Sequence, residues 1–436
     1  MSLTLIYNAR VITMAEDQAV FTGGVLFDNE RIHSVFSGKA DQSIAVKAAV
    51  KVDAKGKWLM PGLVNTHAHL GATLLRGLGE DLPLDQWLKT VMWPNEAKLN
   101  RELAHVSADL ALTEMIRSGT TAYLDMYHLF MDEMAEKAAE SGMRAVIARG
   151  MIGIGASETE QKAKLDESVQ LFKTYHNAAE GRVRVLLAPH APYTCPPDFL
   201  RRTADIAKRN NISVHTHLAE TRTEIDEYKA KYQKHPASHL AELGLFDVPA
   251  LVAHGVHLSD REINLLKEKD VAVSHNPISN LKLGSGVAPL RKLTEAGVKT
   301  ALGTDSAASN NTLDMFEELR SAALIHKGMH ENPQETKAYD LLKMAGQTGA
   351  EVLGFNNTGR IESGCEADLI LIDPDAPHLT PSSVERTISH LVYAVKGSDV
   401  TDVWVKGRQL MNNRELTSLD EEKIRYEANQ SVKKFD

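Results

Sequence analysis

Between residues 60 and 366, eight short apolar runs alternate with longer amphipathic stretches. The runs are "GLVNTH", "TTAYLDM", "RAVIARG", "VRVLLAPH", "ISVHTH", "ALVAHG", "VAVSHN" and "KTALGTD". Most are separated by segments such as "RELAHVSADLALTEMIRSG" and "PDFLRRTADIAKRNN", whose apolar residues recur at helical spacing and which stop at Gly or Asn. Strand and helix in strict alternation leave two architectures for a parallel sheet. One is a doubly wound open sheet and the other is a closed, TIM-like (β/α)8 barrel. Polar residues stand at the C-terminal end of almost every run, where a barrel carries its active site, so the barrel is the expected fold.

The flanks have a different texture. Residues 1–59 contain "LIYNARVITM" and "GGVLFDNERIHSVF", and residues 367–436 contain "ADLILIDP" and "VTDVWVKGRQLM". These are short strands broken by Gly, Asn and Asp. Neither flank holds enough strands for a core of its own, so the two are expected to pair into one small β-sandwich beside the barrel.

A formal net charge of -9 with no basic stripe excludes nucleic acid and an anionic membrane as expected partners. Two cysteines, Cys195 and Cys365, form no C-x-x-C motif and suit a reducing cytoplasm. The opening "MSLTLIYNARVITM" lacks the apolar core and basic flank of a signal peptide, and no run is long enough to span a bilayer. Barrels of this kind often associate as homo-oligomers, but no feature of the sequence counts subunits.

The strand ends carry the chemistry. His67 and His69 end strand 1, His190 strand 4, His215 and His217 strand 5, His254 strand 6, His275 strand 7 and Asp305 strand 8. Residues i and i+2 of a strand point the same way, so His67 and His69 can reach one point. A single H-x-H is more often plain structure than a metal site. Here it joins a third histidine and an aspartate on the strand that neighbours strand 1 in a closed barrel. Imidazole and carboxylate donors without thiolate suit one divalent ion, Zn²⁺ first, with Fe²⁺ or Mn²⁺ as alternatives. Such an ion lowers the pKa of a bound water to roughly 7, and Asp305 can accept the proton. Glu220, three residues past His217, is the candidate acid on the far side of the target. On position alone it serves equally well as a solvated carboxylate at a helix N-terminus.

"PGLVNTHAHL", "HTHLAET", "AHGVHL", "SHNPISNLKLGSG" and "LGTDSAASNN" resemble the amidohydrolase superfamily, and within it the 5-methylthioadenosine/S-adenosylhomocysteine deaminases. The resemblance covers essentially the whole chain. It implies metal ligands at His67, His69, His217 and Asp305, a proton shuttle at Glu220, and a histidine that orients the attacking water at His254. His215 then has no ligand role and supports or packs, and His257 and His275 match motif positions without being ligands. Strand 4 ends "LLAPHAP", with no lysine to bridge a second metal, which implies one ion.

The resemblance also implies substrate contacts at Trp87, Glu96, Arg149, His190, Glu220 and Ser309, with Glu96 accepting from the ribose hydroxyls. The implied reaction is hydrolytic deamination at purine C6 of an adenosine-type nucleoside. One departure bears on the substrate. The family carries a second arginine soon after the one matching Arg149; here the stretch offers only Lys162 and Lys164. Lysine does not replace a bidentate carboxylate partner. Methylthioadenosine, adenosine or 5'-deoxyadenosine are therefore expected as readily as adenosylhomocysteine. The rival readings are a deaminase or chlorohydrolase of a free base or aminotriazine on the same scaffold, and a non-catalytic scaffold protein. All four ligand positions, Glu220 and His254 are present, which weighs against the last.

Overall fold

The computed structural model describes residues 3–16 and 19–435. Eight parallel strands succeed one another in chain order: β1 (Leu63–Ala68), β2 (Thr120–Tyr127), β3 (Arg144–Met151), β4 (Val183–Pro189), β5 (Val214–Leu218), β6 (Ala250–His254), β7 (Val271–His275) and β8 (Thr300–Leu302). Each is hydrogen-bonded to the next, and β8 returns to β1. The Asp305 amide donates to the His67 carbonyl at 2.9 Å, and Ala68 and Asp305 form a parallel bridge. The Thr66 hydroxyl adds a bond to the Leu302 carbonyl at 2.9 Å. This closure decides for the barrel over the open sheet. Gly303 permits it, because a Cβ there would lie 2.7 Å from the His67 nitrogen.

Helices return the chain between strands, including Arg101–Arg117, Met131–Ser141, Glu158–Tyr175, Pro197–Asn210, Arg222–Tyr232 and Asp260–Glu268. The local chemistry marks their ends. Ser157 with Glu160, and Ser259 with Glu262, form reciprocal capping boxes. Gly142 and Asn211 end their helices in the left-handed conformation, as the Gly and Asn stops predict. Apolar residues of the strands, among them Val64, Leu124, Val146 and Leu251, pack with Leu353 and Phe355 of the segment after β8.

The chain ends meet in a second, mixed sheet. Its order is Glu415–Leu416, Arg408–Asn412, Val400–Val405, Leu369–Ile372, Trp58–Pro61, Thr4–Ile12, Val20–Phe27 and Ile32–Ser37, with Val50–Asp53 also pairing with Thr4–Ile12. Trp58–Pro61 is the joint, paired with the N-terminal strand on one side and Leu369–Ile372 on the other. The expected two layers are one hydrogen-bonded sheet that curls over its own core. Phe27 and Trp404 lie four strands apart, yet their rings meet edge to face at 6.3 Å. The other side of the sheet, including Trp58, Ile370 and Val403, packs into the core shared with the barrel. No helix among the described residues is long and apolar enough to cross a membrane.

Candidate active site

The C-terminal ends of the barrel strands surround a cleft enclosing about 800 Å³ of empty space counted out to its mouth. His69, Glu96, His190, His217, Glu220, His254, Asp305 and Ser309 supply polar lining, and Leu84, Trp87, Leu88, Met92, Trp93 and Leu283 much of the apolar wall.

At the floor, one nitrogen from each of His67, His69 and His217 lies within 4.8 Å of the others, and ligand atoms of His67, His254 and Asp305 do the same. Asp305 Oδ1 is 3.0 Å from His69 Nε2 and 3.4 Å from His67 Nε2. The Nδ1 atoms of His69 and His217 donate to the carbonyls of Met126 and His190, the latter at 2.7 Å. His67 Nε2 is buried with no hydrogen-bond partner. An orphaned, buried imidazole nitrogen facing a carboxylate and two more ring nitrogens is what a divalent ion would satisfy, and the donor set suits one. His67, His69, His217 and Asp305 could hold it. The strand-end lysine that would bridge a second ion is absent here, and His190 stands there with its ring 3.1 Å from the Thr194 hydroxyl.

Burial and mutual contact set the charge states. Burial pulls His67 down to about 4 and His190 to about 3. Burial also lowers His69, but the Asp305 carboxylate beside it outweighs this and raises it. Burial alone would raise Asp305, yet the His67 and His69 rings hold it well below the usual carboxylate range. The Ser279 and Ser309 hydroxyls both lie within hydrogen-bond distance of Asp305 Oδ2, at 2.6 and 3.0 Å.

Glu220 is buried, and burial raises its pKa. Its Oε2 is 3.7 Å from His254 Nε2, and His254 Nδ1 donates to the Asn280 amide oxygen at 2.8 Å. The loop carrying Glu220 is held by Glu224, whose carboxylate accepts from the amides of Ala219 and Glu220 at 3.0 and 2.8 Å. Ala219, His254 and Asp305 all have left-handed backbones, with φ of 53°, 75° and 64°. Such strain in residues other than Gly concentrates at functional sites.

The upper wall is the segment Leu84–Trp87, Leu88–Met92 and Trp93–Glu96, two α-helical turns around a π-helical one. It brings Trp87 and Glu96 to the cleft, with Glu96 accepting from the Tyr127 hydroxyl at 2.9 Å. Arg149 is placed differently. It lines a neighbouring cavity that meets the cleft at His128, and pairs with Glu167 at 2.5 Å. Lys164 is committed to the Ile152 carbonyl and Lys162 to Asp166. His257 bonds the Ser285 carbonyl and His275 the His326 ring, so neither joins the floor cluster. Sequence reasoning missed Tyr127, Glu224, Ser279 and Asn280. The last two stand inside "SHNPISN", but only the packed loop shows what they touch.

Residues 58–410 match the amidohydrolase family model. A protein of Halalkalibacterium halodurans named 5-methylthioadenosine/S-adenosylhomocysteine deaminase is 47% identical over 429 residues, 98% of this chain and 97% of that protein. One of Dictyoglomus thermophilum with the same name is 52% identical over 377 residues, 86% of this chain and 87% of that protein. Among solved structures, an adenosine deaminase from Xanthomonas campestris with bound zinc superimposes with a TM-score of 0.92 at 34% identity, covering 99% of this chain and 98% of that one. With its barrel closed, its strand-end histidines and aspartate gathered at one point and a family match running through all of them, the chain belongs to the amidohydrolase family.

Proposed function

We propose that the protein hydrolyses the 6-amino group of an adenosine-type nucleoside, giving the inosine analogue and ammonia. It is a hydrolase of C–N bonds in cyclic amidines. The observation that carries this reading is the buried Glu220 carboxyl beside His254, above the His67, His69, His217 and Asp305 cluster. This arrangement supports a proton donor facing a water-activating floor, and the names of the relatives agree with it.

His67, His69, His217 and Asp305 are the residues assigned to hold one divalent ion, zinc in this reading. When bound, that ion supplies Lewis acidity and an acidified water at neutral pH. The chain's own residues do the rest. Glu220 in its acid form donates to purine N1, which makes C6 electrophilic. His254, fixed by Asn280, orients the nucleophilic water with Nε2. Asp305, kept ionised by its histidine neighbours, accepts the water's proton. That proton passes to the departing amine, and the proton of the new C6 hydroxyl returns to Glu220 as the C6–N bond breaks and the C6=O bond forms, so one water enters, one ammonia leaves and the acid is restored. Trp87, His190 and Ser309 bound the base and sugar, Glu96 accepts from the ribose hydroxyls, and Arg149 waits beyond His128 for whatever extends from the 5' carbon.

Residues 60–366 are the catalytic unit in this reading, and 1–59 with 367–436 the accessory one. The same reading places the enzyme in the cytoplasm, in keeping with two free, buried cysteines. It leaves the protein free to form a homo-oligomer, and names neither nucleic acid nor membrane as a partner. A free base or aminotriazine would leave the Glu96 carboxylate without its sugar partner. Ammonia release from a panel of adenosine, 5'-deoxyadenosine, methylthioadenosine, adenosylhomocysteine, guanine and an aminotriazine tests the assignment. Turnover of the adenosines is expected. Turnover confined to guanine or the triazine overturns the assignment.

A further inference from the structure

Each ring at the floor is held through Nδ1. His69 faces the Met126 carbonyl, His217 the His190 carbonyl and His254 the Asn280 amide oxygen. An oxygen of this kind only accepts, so each of these rings keeps a proton on Nδ1 and presents Nε2 toward the centre. Of the four rings, His67 alone faces a nitrogen. Its Nδ1 lies 2.9 Å from His215 Nε2.

A ring nitrogen can give or take a proton, so this contact by itself fixes no tautomer. The direction is set one step further out. His215 Nδ1 lies 2.8 Å from the Leu251 carbonyl on β6. That carbonyl can only accept, so His215 carries its proton on Nδ1 and offers Nε2 as an acceptor. His67 must then donate from Nδ1, and its buried Nε2 is left as a bare lone pair. Both side chains are fully buried. β1 and β5 stand on opposite sides of an eight-stranded barrel, four steps apart in either direction. The His215 ring reaches across the barrel interior to His67, where the carbonyls of strands beside β1 are not what meets its Nδ1.

We propose that His215 is a positioning residue: it relays the Leu251 carbonyl to His67 and locks His67 in the tautomer whose Nε2 can hold a metal. This rests on the assignment of His67 as a ligand, and explains why a second H-x-H recurs on β5 although only His217 belongs to the floor cluster.

The test uses the full-length protein stripped of metal, with Zn²⁺ alone as the probe. Zn²⁺ affinity is measured by competition with a chromophoric chelator for the wild type, His215→Phe and His215→Gln. The His67 tautomer is read from long-range ¹H–¹⁵N spectra of histidine-labelled metal-free protein. His215→Phe removes the acceptor and is expected to weaken Zn²⁺ binding about 10–100-fold and to move the His67 proton to Nε2. His215→Gln keeps an acceptor oxygen near the same place and is expected to restore most of the affinity. Wild-type affinity in folded His215→Phe, a Gln variant as weak as the Phe variant, or a wild-type spectrum with the His67 proton on Nε2 each overturns the proposal. Should His215→Phe not fold, the wild-type spectrum and the Gln variant decide. No substrate enters these measurements, so a failure of the deaminase assignment would show in the nucleoside panel and leave them unchanged.

Discussion

Burial and two opposed neighbours set the protonation of Glu220. Burial favours its neutral acid, and Asp305 across the floor adds to this, while His254 at 3.7 Å works against it. A carboxylic acid kept protonated is a donor, so kcat/KM is expected to fall as pH rises through the raised Glu220 pKa. Glu220→Gln keeps the shape and loses the proton. It should retain wild-type metal content and lose roughly 10²–10⁴-fold in kcat. Metal analysis and turnover on the same sample check this, and retained turnover would remove Glu220 from the proton path. Residue type and strand parity pointed to His67, His69, a third histidine and Asp305, and the family resemblance named His217 as the third. Parity could not separate His215 from His217, because both face inward from β5. What separates them is the partner each ring meets, His67 in one case and the His190 carbonyl in the other. Arg149 shows the same limit. It ends its strand as expected, yet a local ion pair with Glu167 holds it in the adjoining cavity.

The loop after β5 turns on a residue that sequence patterns do not mark. Ala219 takes a left-handed φ of 53°, and the turn survives because Glu224 accepts from both the 219 and 220 amides. Glu224 sits in the first turn of Arg222–Tyr232, where the helix dipole also favours it. Removing it leaves two buried amides unpaired, at a cost of about 1–3 kcal/mol each. Glu224→Ala should therefore lower the unfolding midpoint and reduce kcat by letting Glu220 wander, with metal content unchanged. Unaltered kcat in the folded variant would show that the loop holds its shape without Glu224. The eight strands were legible because short apolar runs ending in polar residues repeat, and the helices because 3.6-residue spacing ends at Gly and Asn. The wall over the cleft was not. The resemblance marked Trp87 and Glu96 in "LDQWLKTVMWPNEAKL", but nothing in that stretch announces that its middle winds as a π-helix, which depends on packing rather than on composition.

The curled sheet and the barrel are joined by a buried charge. Arg144, at the start of β3, donates to Asp368 through Nε at 2.6 Å and through a terminal nitrogen at 2.9 Å. Asp368 also accepts from the Lys406 amide at 2.7 Å, so one carboxylate ties the barrel to the C-terminal strands. Sequence order conceals this link, since 224 residues separate the pair. Only the return of the C-terminal segment to Trp58–Pro61 brings them together. A buried ion pair is weak evidence of net stabilisation, but an unpaired partner is costly. Asp368→Ala leaves the buried Arg144 guanidinium with only the Glu366 carboxylate, 3.1 Å away, and should destabilise the protein by about 3 kcal/mol, the low end for breaking a buried pair. Arg144→Met with Asp368→Leu removes both charges and fills the space, so it should lie much closer to wild type than the Ala variant does. Urea unfolding midpoints of metal-loaded protein compare the three. If the double variant falls as far as Asp368→Ala, the pair acts through its hydrogen bonds, the Lys406 amide included, and not through the stranded charge. If neither variant shifts the midpoint, the two sheets are held by apolar packing through Trp58, Ile370 and Val403, and the ion pair is incidental to their union.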